Sequence, residues 1–158
     1  MTDQDVIVRR ARIEDIPGLV ASSASLFAED GGTRDATLNV DWPREHGEAA
    51  FTAALEDPAR LVLVVDQGTR VVGHLTASVT GPTERRLVTS ATLLSMYVRP
   101  EHRRARAGAA LVGEFLAWAR REGAEEVEVT AYSANTDAIR FYERNGFTPQ
   151  TVTLRQTL

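Results

Sequence analysis

Residues 93–112 read LLSMYVRPEHRRARAGAALV, and residues 135–147 read NTDAIRFYERNGF. The first stretch is a β-strand that runs into an Arg/Gly/Ala loop at the start of a helix. From Ala105 to Ala110 every residue but Arg106 is tiny, so a ligand can come close to the backbone. The first N–H groups of a helix have no partner within it, and with Arg103, Arg104 and Arg106 beside them they make an anion site. Arginine at this end opposes the helix dipole, a conflict that a bound anion relieves. A solvated arginine cluster is the alternative. In the second stretch Asn135 suits an N-cap and Gly146 a helix stop. Asn135 and Tyr142 lie two helical turns apart, on one face. Of the pair Phe141 and Tyr142 one ring belongs to a core, and the phenol, which needs a partner when buried, is the one to border a polar site.

Outward from these stretches the chain alternates strands and helices. Val6 to Arg10 is a short strand, and Ile13 to Phe27 carries helical spacing with acidic residues and Pro17 in its first turn. From Ala28 to Trp42 the periodicity stops, Gly31-Gly32 reads as a helix break, and Glu29, Asp30, Asp35 and Asp41 make the segment acidic. A solvated loop and a wall that recognises cations are both open readings. A second helix follows Pro43 and ends at Pro58. Leu61 to Val65 is an apolar strand to be covered on both faces. Gln67-Gly68-Thr69 turns it into a return strand, Arg70 to Thr80, and a third strand spans Val88–Arg99. Glu101 to Glu122 has a broad apolar stripe of Leu111, Val112, Phe115, Leu116, Trp118 and Ala119. Val127 to Tyr132 is a strand, and Thr151 to Leu158 alternates enough for one last strand.

At 158 residues, 43% hydrophobic and 25% charged, the chain is sized for one soluble domain. No apolar run reaches the roughly 18–20 residues of a membrane span, and Met1 to Asp5 lacks the pattern of a signal peptide. There is no cysteine, hence no thiolate metal site or cysteine nucleophile. The expected location is the cytoplasm, with no membrane partner and no metal. A formal net charge of −4 argues against a dedicated nucleic-acid binder. There is no lysine, so all 18 cationic side chains other than histidine are arginine.

The order Val98-x-Pro100-Glu-His-Arg103-x-x-x-x-Gly108-x-Ala110-Leu111, followed by Asn135-x-x-Ala138-x-x-Phe141-Tyr142-x-x-x-Gly146-Phe147, resembles the GNAT superfamily of N-acetyltransferases. The resemblance covers nearly the whole chain. It implies a single N-acetyltransferase domain over residues 6–158, of α/β (α+β) class. Its sheet would be mixed, mostly antiparallel and of six to seven strands, flanked by about four helices. It also implies an acetyl-CoA co-substrate. The loop Arg103, Arg104, Ala105, Arg106, Ala107, Gly108 and Ala109 would wrap the pyrophosphate, and the strand at Met96, Tyr97 and Val98 would hold the pantetheine arm and thioester. Asn135 would contact the cofactor, and Tyr142 would protonate the departing thiolate. The region between the first two helices would form an acceptor wall, with Glu29, Asp30, Asp35, Asp41 and Trp42 suited to a small cationic amine. The resemblance admits a homodimer.

The sequence departs from the family at Arg106, which stands where the loop's first glycine belongs. If that position needs φ > 0, arginine is strained there by of order 1 kcal/mol. An alkylammonium of pKa near 10.4 is about 99.9% protonated at pH 7, so the reaction needs a base. Glu29, Asp30, Asp35, Asp41, Glu84 and His74 are candidates that spacing does not separate. Two readings stand beside the small-amine enzyme: a GNAT-like module that binds or senses acyl-CoA without turnover, and an acetyltransferase of protein lysines or N-termini.

Overall fold

The computed structural model describes residues 6–103 and 106–158. Its five strands lie in one sheet in sequence order: β1 (Ile7–Arg10), β2 (Arg60–Asp66), β3 (Val71–Thr80), β4 (Ser90–Val98) and β5 (Glu126–Val129). The first four are antiparallel to their neighbours, and β5 runs parallel to β4. Four helices flank the sheet: α1 (Ile16–Leu26), α2 (Trp42–Glu56), α3 (Ala107–Arg121) and α4 (Thr136–Arg144).

Successive residues of a strand point to opposite faces, and β2 is apolar on both because both are covered. Leu61, Leu63 and Val65, with Leu75 and Leu93, pack under Leu111, Val112, Phe115 and Trp118 of α3. Val62 and Val64 pack against Ile16 and Leu19 of α1 and Phe51 and Ala54 of α2. The sheet thus separates two cores, one under α3 and one under α1 and α2.

Three expectations are corrected. Among the described residues the strands number five rather than six to seven, and residues 148–158 form no strand. Val152 and Leu154 stay 84% and 90% exposed, so the weak alternation buries too little to offset the entropy of ordering a strand. The helix expected over Glu101 to Glu122 is interrupted: a 3₁₀ turn at Pro100–His102 precedes α3, which starts only after Arg106. Finally, Gly31-Gly32 does not break the first helix. A π-helical turn at Phe27–Gly31 carries it on to Gly32–Arg34. These glycines serve close packing, since a Cβ on Gly31 would lie 2.3 Å from the Leu38 side chain.

Candidate active site

The site begins where β4 and β5 part. Their parallel ladder runs from Ser90–Glu126 to Leu93–Val129 and ends there, while β4 continues to Val98. A bulge between Thr76 and Ala77 in the β3–β4 pairing places Leu94 opposite no β3 residue, and Leu94 is half-exposed. Beyond Leu93, main-chain groups of β4 on this side have no β5 partner. Cross-strand pairing sets Met96 with Leu75 and Val98 with Gly73, on the α3 face. Tyr97 pairs with His74 and so looks to the α1–α2 face.

On the α3 side, Arg103, Arg106, Gly108, Ala109, Phe141, Arg144 and Asn145 line a cavity of about 390 Å³. Among the described residues three guanidinium groups and no carboxylate line it, although the whole chain is acidic. Arg106 has φ 62° and ψ 12°, a left-handed conformation that is unusual for a residue with a Cβ. The following residues are helical, so the first-turn N–H groups of α3 open towards this end. Phe141 packs against Gly108 so closely that a Cβ there would meet its ring at 3.2 Å.

The extended end of α1 crosses to the other side of the split. Glu29 accepts from the Tyr97 hydroxyl at 2.8 Å and pairs with Arg103 through its other oxygen. Arg103 also donates Nε to the Val98 carbonyl at 2.9 Å, and its guanidinium lies 5.4 Å from the Tyr97 ring centre. Asp30 accepts from Asn135 Nδ2 at 3.0 Å and from Arg34 at 2.7 Å. Asn135 meanwhile caps α4, its Oδ1 accepting from the Ala138 N–H at 3.1 Å. The two acidic residues thus reach both the strand β4 and the start of α4.

Tyr142 sits in an aromatic corner, edge-on to Phe141 and Phe147 at 5.3 and 5.7 Å. Burial, with the Asp30 charge nearby, pushes its phenol up to about 12, so it keeps its proton through neutrality. Burial, followed by the hydrogen bond to Glu29, also raises Tyr97. His74 is fully buried beneath β4. Its Nδ1 meets Ser22 Oγ at 2.6 Å and its Nε2 meets Ser95 Oγ at 3.2 Å, while Ser95 also bonds Thr76 at 2.6 Å. Burial drives its pKa down to about 4, so at neutral pH it is an uncharged link in a polar chain under the sheet.

Residues 27–147, more than half of the chain, match the acetyltransferase (GNAT) family. The chain belongs to that family. Among solved structures it resembles a transcriptional regulator from Bacillus halodurans, with 25% identity, a TM-score of 0.75, and 97% and 99% of the two chains covered. It also shares its fold with an aminoglycoside acetyltransferase from an uncultured soil metagenomic sample (19% identity, TM-score 0.73, 98% and 97% covered). The same holds for glucosamine-6-phosphate N-acetyltransferase from Arabidopsis thaliana (14% identity, TM-score 0.73, 96% and 97% covered). No curated protein matches the chain.

For a GNAT chain, the residues singled out by sequence divide into three groups. Arg103, Arg106, Gly108 and Ala109 gather at the arginine-lined cavity, and Ala107 is buried as the first residue of α3. Arg104 and Ala105 lie outside the described residues. Met96, Tyr97 and Val98 are on the stretch of β4 that has no β5 partner, and Asn135 and Tyr142 are on α4 and its cap. Of the acidic segment, Glu29 and Asp30 reach these groups and the rest does not. Asp35 is spent on its own turn and on Arg155 at 2.9 Å, and the Thr37 and Arg155 contacts lower it to about 2. Asp41 precedes α2 without a side-chain cap bond, and Trp42 stacks on Phe27 at 6.1 Å. Sequence reasoning missed Arg144, Phe141 as a cavity wall, and Asn145. Their spacing at 141, 144 and 145 is one helical face and held the signal.

Acetyl-CoA fits this arrangement. A cavity walled by three guanidinium groups and small residues suits its phosphates, and strand edge without a partner suits an amide-bearing arm.

Proposed function

We propose that this GNAT chain is an acetyl-CoA-dependent N-acetyltransferase acting on a primary amine of a small cationic molecule, by direct attack in a ternary complex. The observation that carries the reading is the division of charge across the β4–β5 split. The arginine cavity lies on one side and Glu29 and Asp30 lie on the other, with Arg103 of the cavity reaching across to Glu29. A phosphate-bearing donor and a cationic acceptor are thereby offered separate entrances that meet at β4. Two fold relatives, an aminoglycoside acetyltransferase and a glucosamine-6-phosphate N-acetyltransferase, support amine acetylation as the reaction class.

Acetyl-CoA supplies the acyl group as a thioester. Arg103, Arg106, Arg144 and the first N–H groups of α3 hold the phosphates in this reading, and the free edge of β4 at Met96 and Val98 orients the arm. The amine reaches the acyl carbon as a neutral nucleophile after giving its proton to a carboxylate. Asp30, bonded to Asn135 and close enough to Tyr142 to raise its pKa, is the favoured acceptor of that proton. The C–N bond forms and the C–S bond breaks, the sulfur takes a proton from Tyr142, and the second proton shed by the nitrogen returns the Tyr142 phenolate to its phenol. Burial that raises the Tyr142 phenol raises a thiol in the same surroundings too, so burial does not by itself widen the gap in acidity between donor and leaving group. No helix among the described residues is long and apolar enough to cross a membrane.

Release of free thiol from acetyl-CoA, assayed across polyamines, aminoglycosides and amino sugars, tests the reading. Thiol release that requires a cationic amine is the expected result. A second reading, an acyl-CoA-sensing domain, draws on the strained Arg106 and on the fold relative described as a transcriptional regulator. Tight CoA binding with no turnover on any amine would select it.

A further inference from the structure

Glu29 holds two partners that belong to different tasks: Arg103 of the arginine cavity and the hydroxyl of Tyr97 on β4. We propose that Glu29 is a shared carboxylate, masked by Arg103 in the free protein and released as the ammonium ligand of the acceptor when Arg103 turns to a phosphate. The inference rests on the acetyl-CoA reading and assigns to that site a coupling between its two ligands.

The charges around the split make the exchange favourable. In the free protein Glu29 is balanced by Arg103, and Asp30 by Arg34. Side chains of the Glu29–Arg103 pair are 43% and 45% exposed, so the pair is a weak one and easily given up. A phosphate offers arginine bidentate, charge-assisted hydrogen bonds that a single carboxylate oxygen does not match. When Arg103 leaves, two adjacent carboxylates face one remaining guanidinium, and the local charge falls by one. The Tyr97 hydroxyl, 2.8 Å from the other Glu29 oxygen, keeps the carboxylate on the acceptor side of β4. A cation arriving there restores the balance. Amine affinity therefore rises when the donor site is filled, and by linkage donor affinity rises with the amine.

Calorimetry with CoA, which carries no acetyl group and permits no turnover, separates the outcomes. Glu29→Gln removes the internal competitor, so CoA is expected to bind roughly twofold to fivefold more tightly than to wild type, the worth of an exposed ion pair. Spermidine is expected to bind wild type more tightly in saturating CoA than without it, and Glu29→Gln to lose that dependence. Glu29→Ala, at an exposed position, is expected to behave the same way. CoA affinity that is unchanged or weaker in both variants overturns the exchange while leaving the acetyl-CoA reading intact. Spermidine binding in wild type that ignores CoA, or does not occur, overturns the role of Glu29 as an ammonium ligand. Failure of wild type to bind CoA at all removes the acetyl-CoA reading, and the inference goes with it.

Discussion

The two sides of β4 are built from the same strand and carry opposite charge. Under α3 the wall is arginine and small residues, shaped by a backbone turn that forces Arg106 to φ 62°. Under α1 and α2 the wall is carboxylate and hydroxyl, carried by an extended helix end that reaches Tyr97 and Asn135. One side is organised by main-chain geometry, the other by side-chain hydrogen bonds. A helix N-terminus offers N–H groups whatever its sequence, so the anion side needs little beyond a turn and small residues. The cation side has no such backbone device, and individual acids must be carried to the split by packing.

The largest expected effect lies where the sides meet. Tyr142→Phe keeps the ring contacts with Phe141 and Phe147 and removes only the proton, so turnover should fall by about 10²–10⁴-fold with little change in stability. An unchanged kcat removes the donor role. Next comes the acidic side's buried support, His74. Its folded pKa of about 4 lies below the ordinary 6.5, so above pH 6.5 both folded and unfolded forms are neutral. Between 6.5 and 4 the unfolded chain takes a proton that the folded one refuses, and stability falls as pH falls, by about 1.4 kcal/mol per pH unit. Urea unfolding at pH 7 and pH 5 should show this slope in wild type and a flatter one in His74→Gln.

The division of labour itself is tested by a pair of substitutions. Arg144→Gln should weaken CoA binding by about tenfold, near 1.4 kcal/mol for one charge-assisted contact, and leave the amine KM alone. Asp30→Asn, which also removes the proposed base, should lower kcat and raise the amine KM while sparing CoA affinity. If each variant disturbs both constants alike, the sides are not separate. The smallest effect belongs to the strained turn. Arg106→Gly should relieve up to about 1 kcal/mol and raise Tm by about 2–4 °C, measured by calorimetric melting, while CoA binds more weakly for want of a guanidinium. A variant that melts lower shows that the turn is not strained.

Much of this protein was legible in its sequence because local physics sets it. The β2 run Leu61 to Val65 is apolar at every position and was readable as a strand covered twice. Gly123 and Gly146, both at positive φ, ended their helices, and Asn135 capped α4 as its side chain predicts. The cavity residues Arg103, Arg106, Gly108 and Ala109 were legible for the same reason, since a helix start is encoded in a few consecutive residues. Other features depend on what stands across space. Gly31-Gly32 looked like a break, but tight packing against Leu38 and Val40 kept both residues helical. Residues 151–158 alternated, but without a partner the alternation made no strand. Composition marked four acids between the first two helices, and only the tertiary structure chose Glu29 and Asp30 from them. The π-helical turn and the crossing of α1 over β4 carry those two to Tyr97, Arg103 and Asn135, while Asp35 folds back on its own loop and Arg155. Charge is written residue by residue, but the partner that a charge meets is decided by contacts 68 to 105 residues apart in the chain.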